Sequence, residues 1–458
     1  MQLKATKHSP TCVLLLLCSI WLSGSLDMTD AQETSPMRLT LSQAIDLALR
    51  QNKTLGLARL TVADSEHKRE EARSAYFPHI KNEASVLHIT ELAGVEVPAG
   101  AFGAHPSTGP IPGENLFIDQ GALTAYTSGT GLTQPLTQMF KIHESNRAAE
   151  ADSNTAKIQS EQAENEITLR VRQLYYALMI AELKQQAATE EVSASQVNDQ
   201  EAQDAVKNGR ALDVVALESY AGLLDARQTA LVQTLQIHSL SLTLNDLLGL
   251  PLNTPLQLDT DTSATPLSIP GREESIQIAE DHSPEIRSAE QAVEKAKAGL
   301  VAAKDEYIPD VTGLARYSYQ SGVPFLVHNF GTFGFTLSYD LFDGGRRIAE
   351  IRDSRTLLSQ AELNLARVKE DVTVQVETAY DKVTQLQSMV AVADQALKVR
   401  VEAARLSDRQ FEQNAALASQ RAEAHAKALS AKASYTEATL DLSLAQADLK
   451  RTIGERPQ

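Results

Sequence analysis

Apolar side chains at Leu358, Ala361, Leu365, Val368, Val372, Val376, Ala379, Val383, Leu386, Val390, Ala393 and Leu397 recur at spacings of three and four. One pair of consecutive fours, Val368–Val372–Val376, is a stutter in an otherwise heptad-like coiled-coil seam. Ile167, Val171, Leu174, Leu178 and Ala181 repeat five of these positions 205 residues earlier. Neither Pro nor Gly occurs between Thr137 and Asn208 or between Arg346 and Gln413. The pattern predicts two uninterrupted helices, over 137–207 and 343–413, each about 70 residues and roughly 105 Å long. A turn follows each. Asn208-Gly209-Arg210 closes the first, where Gly supplies the left-handed backbone that a helix end needs. Asn414 takes that place in the second, the next best residue for the conformation. Return helices are expected over 212–248 and 417–453, about half as long as their partners.

A second pattern has period two. Phe333, Phe335, Leu337, Tyr339 and Leu341 alternate with Thr332, Gly334, Thr336, Ser338 and Asp340, as in a strand with one apolar and one polar face. Val311 to Gln320 is its expected hairpin partner, and His79 to Thr90 with Ala122 to Leu136 forms the equivalent pair. The hairpins are thus assigned to 79–136 and 310–342. Each follows a helix ended by proline, Pro78 or Pro309. Asn52 to Pro78 matches Ser283 to Pro309 at an offset of 231, and the hairpins onward match at 205. The chain therefore reads as a tandem duplication. The difference between the offsets is an insertion in Ala93–Gly121, a stretch with six Gly and four Pro that reads as a flexible loop at the tip of the first hairpin.

A two-stranded hairpin is not stable alone, and these strands would expose large apolar side chains to water. Closure into a membrane barrel answers both problems, because lipid forbids open strand edges. A soluble β-sandwich is the competing reading. Four strands are too few for a barrel, whose smallest common form has about eight, so several chains must share one.

At the N-terminus, Lys4 and Lys7 precede the apolar run Val13 to Leu22, and small residues follow. That order is a secretory signal peptide, assigned to residues 1–31. Ten apolar residues are too few for a membrane anchor, which needs about 20. Cys18 is a candidate lipidation site, although Leu17 before it is bulkier than such sites prefer. Both cysteines, Cys12 and Cys18, fall in this segment, so the exported chain relies on packing or oligomerisation rather than disulfides. The remaining organisation is a first repeat at 32–248, a linker at 249–272 and a second repeat at 273–458. The net charge of −17 argues against nucleic acid as a partner. No catalytic or metal-binding constellation stands out, and no cofactor is expected.

Three segments carry a resemblance. Leu39 to Asn52, Asn208 to Glu218 and Leu341-Phe342-Asp343-Gly344-Gly345-Arg346-Arg347 look like the opening helix, the periplasmic helix tip and the strand-to-helix transition of the TolC-type outer-membrane efflux protein family. The resemblance covers nearly all of residues 38–455. It implies a mainly α protein with a membrane β-barrel: a homotrimer with twelve strands in outer-membrane lipid, continued by a helical tunnel across the periplasm. It implies a passive channel rather than an enzyme, serving tripartite efflux or type I secretion. The implied partners are a periplasmic adaptor and an inner-membrane pump of RND, ABC or MFS type. Adaptor contact would fall at the helix tips, on Asn208, Gly209, Arg210, Leu212, Asp213, Asn414 and Leu417. The second tip departs from the family, with Asn414 for the usual Gly and Ser419 where Asp is common. Asp199, Asp204, Asp394, Arg400 and Asp408 are candidate gate or lumen charges, because a carboxylate facing inward in a trimer becomes a ring of three. The alternative is a periplasmic coiled-coil scaffold or adaptor that never enters the membrane.

Overall fold

The computed structural model describes residues 37–119, 121–259, 269–322 and 327–455. The expected signal peptide, with Cys12 and Cys18, lies outside these residues.

The first copy runs β1 (Met37–Leu39), α1 (Leu41–Gln51), α2 (Lys53–Ser74), β2 (His79–His88), β3 (Gly94–Val97), β4 (Ala104–His105), β5 (Gly109–Pro110), β6 (Leu116–Asp119), β7 (Thr124–Pro135), α3 (Met139–Lys207) and α4 (Asp213–Leu248). After β8 (Leu256–Leu258), the second copy runs α5 (Arg272–His282), α6 (Pro284–Asp305), β9 (Asp310–Ser321), β10 (Asn329–Ser338), α7 (Arg346–Glu412) and α8 (Ala418–Thr452).

Helices α3 and α7 have 69 and 67 residues and organise everything else. At 1.5 Å per residue each spans roughly 100 Å. Helices α2 and α6 flank the half of α3 nearer the strands, and α4 and α8 flank the other half, while α7 packs on α6 and α8. Each seam position from Leu358 to Leu397 is buried or half-buried, and Ile167, Val171, Leu174, Leu178 and Ala181 are all buried.

The strand-side half of α3 is bound through charge. Arg59–Glu164, Glu66–Lys157 and Arg69–Glu150 link it to α2, and Glu161–Arg287, Asp152–Lys295 and Arg147–Glu294 link it to α6. Such half-exposed pairs contribute at most about 1 kcal/mol each, so they set register more than they hold. The apolar cohesion lies at mid-height. One core gathers Leu39, Leu55, Val171, Tyr175, Leu178, Leu244 and Leu248, and a second gathers Ile286, Val376, Val383, Leu449 and Ile453.

This girdle is where the shorter helices meet end to end. Asn52 caps the start of α2 through the Leu55 N–H at 3.1 Å and donates to the Leu247 carbonyl at the end of α4 at 2.9 Å. Gly249 ends α4 with φ 74 and Gly454 follows α8 with φ 84. A Cβ on Gly249 would stand 2.9 Å from the Gln51 carbonyl oxygen, and one on Gly454 2.4 Å from that of His282. Backbone approaches backbone there, in both copies, at a distance only glycine permits. β1 pairs in parallel with β8, and the Tyr175 hydroxyl, fully buried, donates to the carbonyls of Leu39 and Asp259 at 3.0 Å.

The sheet has the order β10-β9-β7-β2, antiparallel throughout. The pair β7–β9 joins the two copies. The inserted segment is not the irregular loop its composition suggests. β3 pairs with β6 and β4 with β5, so backbone bonding within the insertion organises it despite its glycines and prolines.

At the far end of β10, the chain re-enters a helix on a charged buckle. The carboxylate of Asp343 accepts from the N–H groups of Gly345 (2.9 Å) and Arg347 (3.2 Å) and from Arg347 Nε (2.6 Å). Those bonds, the Arg347 side chain foremost, hold the Asp343 carboxyl far below the usual carboxylate range. The buried Arg347 guanidinium lies over the rings of Tyr307 and Tyr339, at 5.2 and 4.9 Å from their centroids.

Candidate functional site

Three features of the surface are candidates for function: the faces of the sheet, the edges of the chain and the helix tips.

Register sorts the sheet into two faces. Ile80, Val86, Tyr126, Leu132, Val311, Tyr317, Tyr319, Phe333, Phe335 and Leu337 share one. Phe333 is 90% and Phe335 77% exposed, so nothing among the described residues covers this apolar face at β10. Lys81, Glu83, Ser85, Thr127, Gly129, Gly131, Arg316, Ser318, Thr332 and Thr336 share the other, which is polar. Among the described residues no helix is long and apolar enough to cross a membrane.

The edges are complementary in position. β2 is one end strand of the sheet and β10 is the other. On the β2 side, α2 and α4 expose Leu57, Leu60, Leu217, Leu231 and Leu235; on the β10 side, α7 exposes Leu363, Val374, Val392 and Val399. Each edge thus continues from strand to helix as one unpartnered, partly apolar seam.

The tips lie at the opposite end. Gly209 has φ 68 and Asn414 φ 58, and each closes its helix with the same pair of bonds. Arg210 N–H donates to the Ala205 carbonyl and Ala415 N–H to that of Gln410, both at 2.8 Å. Asn208 donates from its side chain to the Asp204 carbonyl at 2.6 Å. Arg210, Leu212 and Asp213 are exposed at the first tip, and Asn414 and Leu417 at the second. Leu212 and Leu417 stand where a capping side chain would, and neither return helix receives a cap bond from them.

The candidate charges divide. Asp199 is only 7% exposed, with its oxygens taken by Gln203 Nε2 (2.8 Å) and Ser219 Oγ (3.1 Å), so it ties α3 to α4 rather than facing solvent. Asp204 is exposed beside Gln200 and Lys207. Asp394 accepts from Lys398 Nζ at 2.6 Å, one helical turn on. Arg400 is exposed and makes no ion pair among the described residues. Asp408 receives Arg421 Nε (2.7 Å) and His425 Nε2 (2.8 Å), and these bonds, that of His425 first, hold its carboxyl below the usual range. Sequence reasoning missed the link between the tips. The Glu201 carboxylate of α3 accepts from both the hydroxyl and the N–H of Ser419 at the start of α8. A carboxylate at a helix N-terminus is favoured by the helix dipole.

No group of His, Cys, Asp and Glu able to hold a metal occurs among the described residues.

Residues 44–250 and 275–455 match the family model described as "Outer membrane efflux protein". No curated protein matches the chain. Several solved structures share the fold at low identity. The CmeC outer membrane channel of Campylobacter jejuni is 14% identical, with 90% of this chain and 85% of that one covered and a TM-score of 0.71. The outer membrane protein VceC of Vibrio cholerae is 15% identical, with 91% and 97% covered and a TM-score of 0.69. The open state of the MtrE outer membrane channel of Neisseria gonorrhoeae is 17% identical, with 91% and 89% covered and a TM-score of 0.70.

Proposed function

Because the chain belongs to the outer membrane efflux protein family, we propose that three copies close into one twelve-stranded barrel and one helical tunnel, forming the passive duct of a tripartite export machine. The protein is an outer-membrane efflux channel, with its strands in the membrane and its helices in the periplasm. The observation that supports the trimer is the pair of open edges. β2 with α2 and α4 bounds one side of the chain, and β10 with α7 bounds the other. Lipid tolerates neither edge unpaired. Head-to-tail pairing of these unlike edges makes a ring when the rotation closes. Closure turns the apolar face, with Phe333 and Phe335, toward lipid and the polar face toward a lumen.

At the periplasmic end, Asn208, Gly209, Arg210, Leu212, Asp213, Asn414 and Leu417 are the surface for a periplasmic adaptor, behind which an inner-membrane pump of RND, ABC or MFS type would stand. Asp204, Asp394 and Asp408 are the candidate carboxylate rings of the tunnel, and Arg400 a candidate lumen cation. Asp199 is a structural tie in this reading. Nothing in the fold or the family match favours a periplasmic scaffold instead.

The test is assembly. The protein should fractionate with the outer membrane and migrate as a heat-modifiable trimer. Phe333→Arg should abolish both, because a cation on the lipid face costs about 2–4 kcal/mol at mid-membrane and recurs three times. A soluble monomer from the unaltered chain would overturn the reading. For the rings, Asp394→Ala should reduce cation preference in planar bilayers, and unchanged selectivity would remove Asp394 from the conducting path.

A further inference from the structure

The polar face of the sheet carries one charged cluster away from its helix end. Lys81 and Arg316 stand in one row across the sheet, Lys81–Gly131–Arg316–Thr332, and Glu83 stands in the next, Glu83–Gly129–Ser318–Phe330. Lys81 Nζ lies 2.7 Å from Glu83 Oε1 and Arg316 Nη1 lies 3.5 Å from Glu83 Oε2. Arg316 Nε donates to Ser318 Oγ at 3.2 Å. The cluster spans both copies of the repeat and lies flat across β7, which carries glycine at both crossing points. A Cβ on Gly129 would come within 2.6 Å of Arg316 Nε. Among the described residues two cations here share one carboxylate, so the cluster keeps one uncompensated positive charge, although the overall charge is −17. The other strand carboxylate on this face, Asp310, stands at the helix end, where Lys141 Nζ approaches it at 3.5 Å.

We propose that this cluster is an anion-selecting belt inside the barrel. It would hold a carboxylate, sulfonate or phosphate group of a passing solute against Arg316 and Lys81. The proposal rests on the trimeric barrel, since only closure wraps this face around a lumen and makes three excess charges a ring. Rings of Arg and Lys are how pores favour anions. Glu83 then sets the strength of the belt by neutralising one of its two cations and holding both side chains against the wall. The belt opposes in sign the acidic candidates at the helix tips, so solute charge would be read differently at the two ends of one duct.

A thiol reporter tests the belt regardless of whether the tips are open. The chain's cysteines, Cys12 and Cys18, lie outside the described residues. Thr332→Cys puts one directly across from Arg316 on the polar face. Its modification in outer membranes would be timed with two methanethiosulfonate probes, one bearing a sulfonate and one a trimethylammonium group. The sulfonate should react preferentially, relative to the same pair of probes on a free thiol. At low ionic strength one unit charge at ~8 Å changes the ratio of the two rates about fivefold. Lys81→Gln with Arg316→Gln should therefore lower the ratio by at least that factor, Glu83→Gln should raise it, and Arg316→Lys should preserve it. A ratio that stays constant across these variants overturns the belt. Phe333→Cys, on the opposite face, separates this failure from that of the barrel. If it reacts with both probes as fast as Thr332→Cys does, the barrel reading is wrong. If it is protected while the Thr332→Cys ratio ignores the charges, the belt alone is wrong.

Discussion

The two copies of the repeat reach the same backbone with different side chains. Gly209 and Asn414 make the same left-handed turn, and Gly249 and Gly454 make the same close approach to the ends of α1 and α5. The side chains around them diverge. In the first copy, Asp199 is buried between Gln203 and Ser219, and Tyr175 is buried against two carbonyls. In the second, Asp408 is bound by Arg421 and His425 near the surface, and Tyr380 lies 5.0 Å under the guanidinium of Arg272, which also pairs with Glu377 and Asp381. Desolvated hydrogen bonds are insensitive to salt and costly to break. Exposed charge pairs are weaker and are screened. The duplication therefore kept a geometry and split its support, leaving the second tip the more responsive to solution conditions.

The comparison breaks most readily at the shared glycines. Gly454→Ala should destabilise by roughly 3 kcal/mol, since it adds backbone strain and a clash in one step, and thermal unfolding should register it. Gly249→Ala should follow in the same direction with a smaller loss. Equal tolerance at both sites would mean that the close approach is not needed.

Tyr175→Phe should cost about 1–2 kcal/mol by stranding buried partners, whereas Tyr380→Phe keeps its ring under Arg272 and should be nearly silent. Asn414→Gly should stabilise the second tip by up to about 1 kcal/mol, and Gly209→Asn should cost the first a similar amount. Opposite signs in hydrogen exchange at the two tips would sharpen the claim that the turns are equivalent.

The smallest effect is in pH. The Asp408 carboxyl is held below its ordinary value, so its contribution is present above the unfolded pKa of about 4 and fades as pH falls below that. Amide protection around Phe411 to Ser419, next to Asp408, should decline at acid pH before that around Val206 to Asp213. Simultaneous loss would erase the distinction between the copies.

Much of this could be read from residue order, and the reason is periodicity. The seam from Leu358 to Leu397 and the alternation around Phe333 are local patterns, so each announced its element. The turn at Asn414 was legible because a glycine stood 205 residues earlier. What depended on pairing across the chain was hidden. Lys81 and Arg316 come together only through the register of β2, β7 and β9, and the first and last of these belong to different copies. Glu201 and Ser419 meet because α8 packs beside α3. Asp199 looked like a surface charge because its partner Ser219 sits on the return helix, beyond the turn. The insertion misled for the opposite reason. Its glycines and prolines suggested irregularity, while its ladders, such as Val95 opposite Ile118, pair residues too distant for local pattern to reveal.

The three-residue pairing of β1 with β8 has one further consequence. It ties the start of the first copy to the chain that leaves it, closing a loop of over two hundred residues. Drawing such a loop shut costs roughly 5 kcal/mol in chain entropy, far more than so short a ladder returns. The clasp can therefore close only after α1, α3 and α4 have already brought its ends together. Its backbone amides act as a completion mark: exchange at Asp259, whose N–H donates to the Leu39 carbonyl at 3.1 Å, should slow last as the first copy folds, reporting whether that half is finished while β7 still waits for β9.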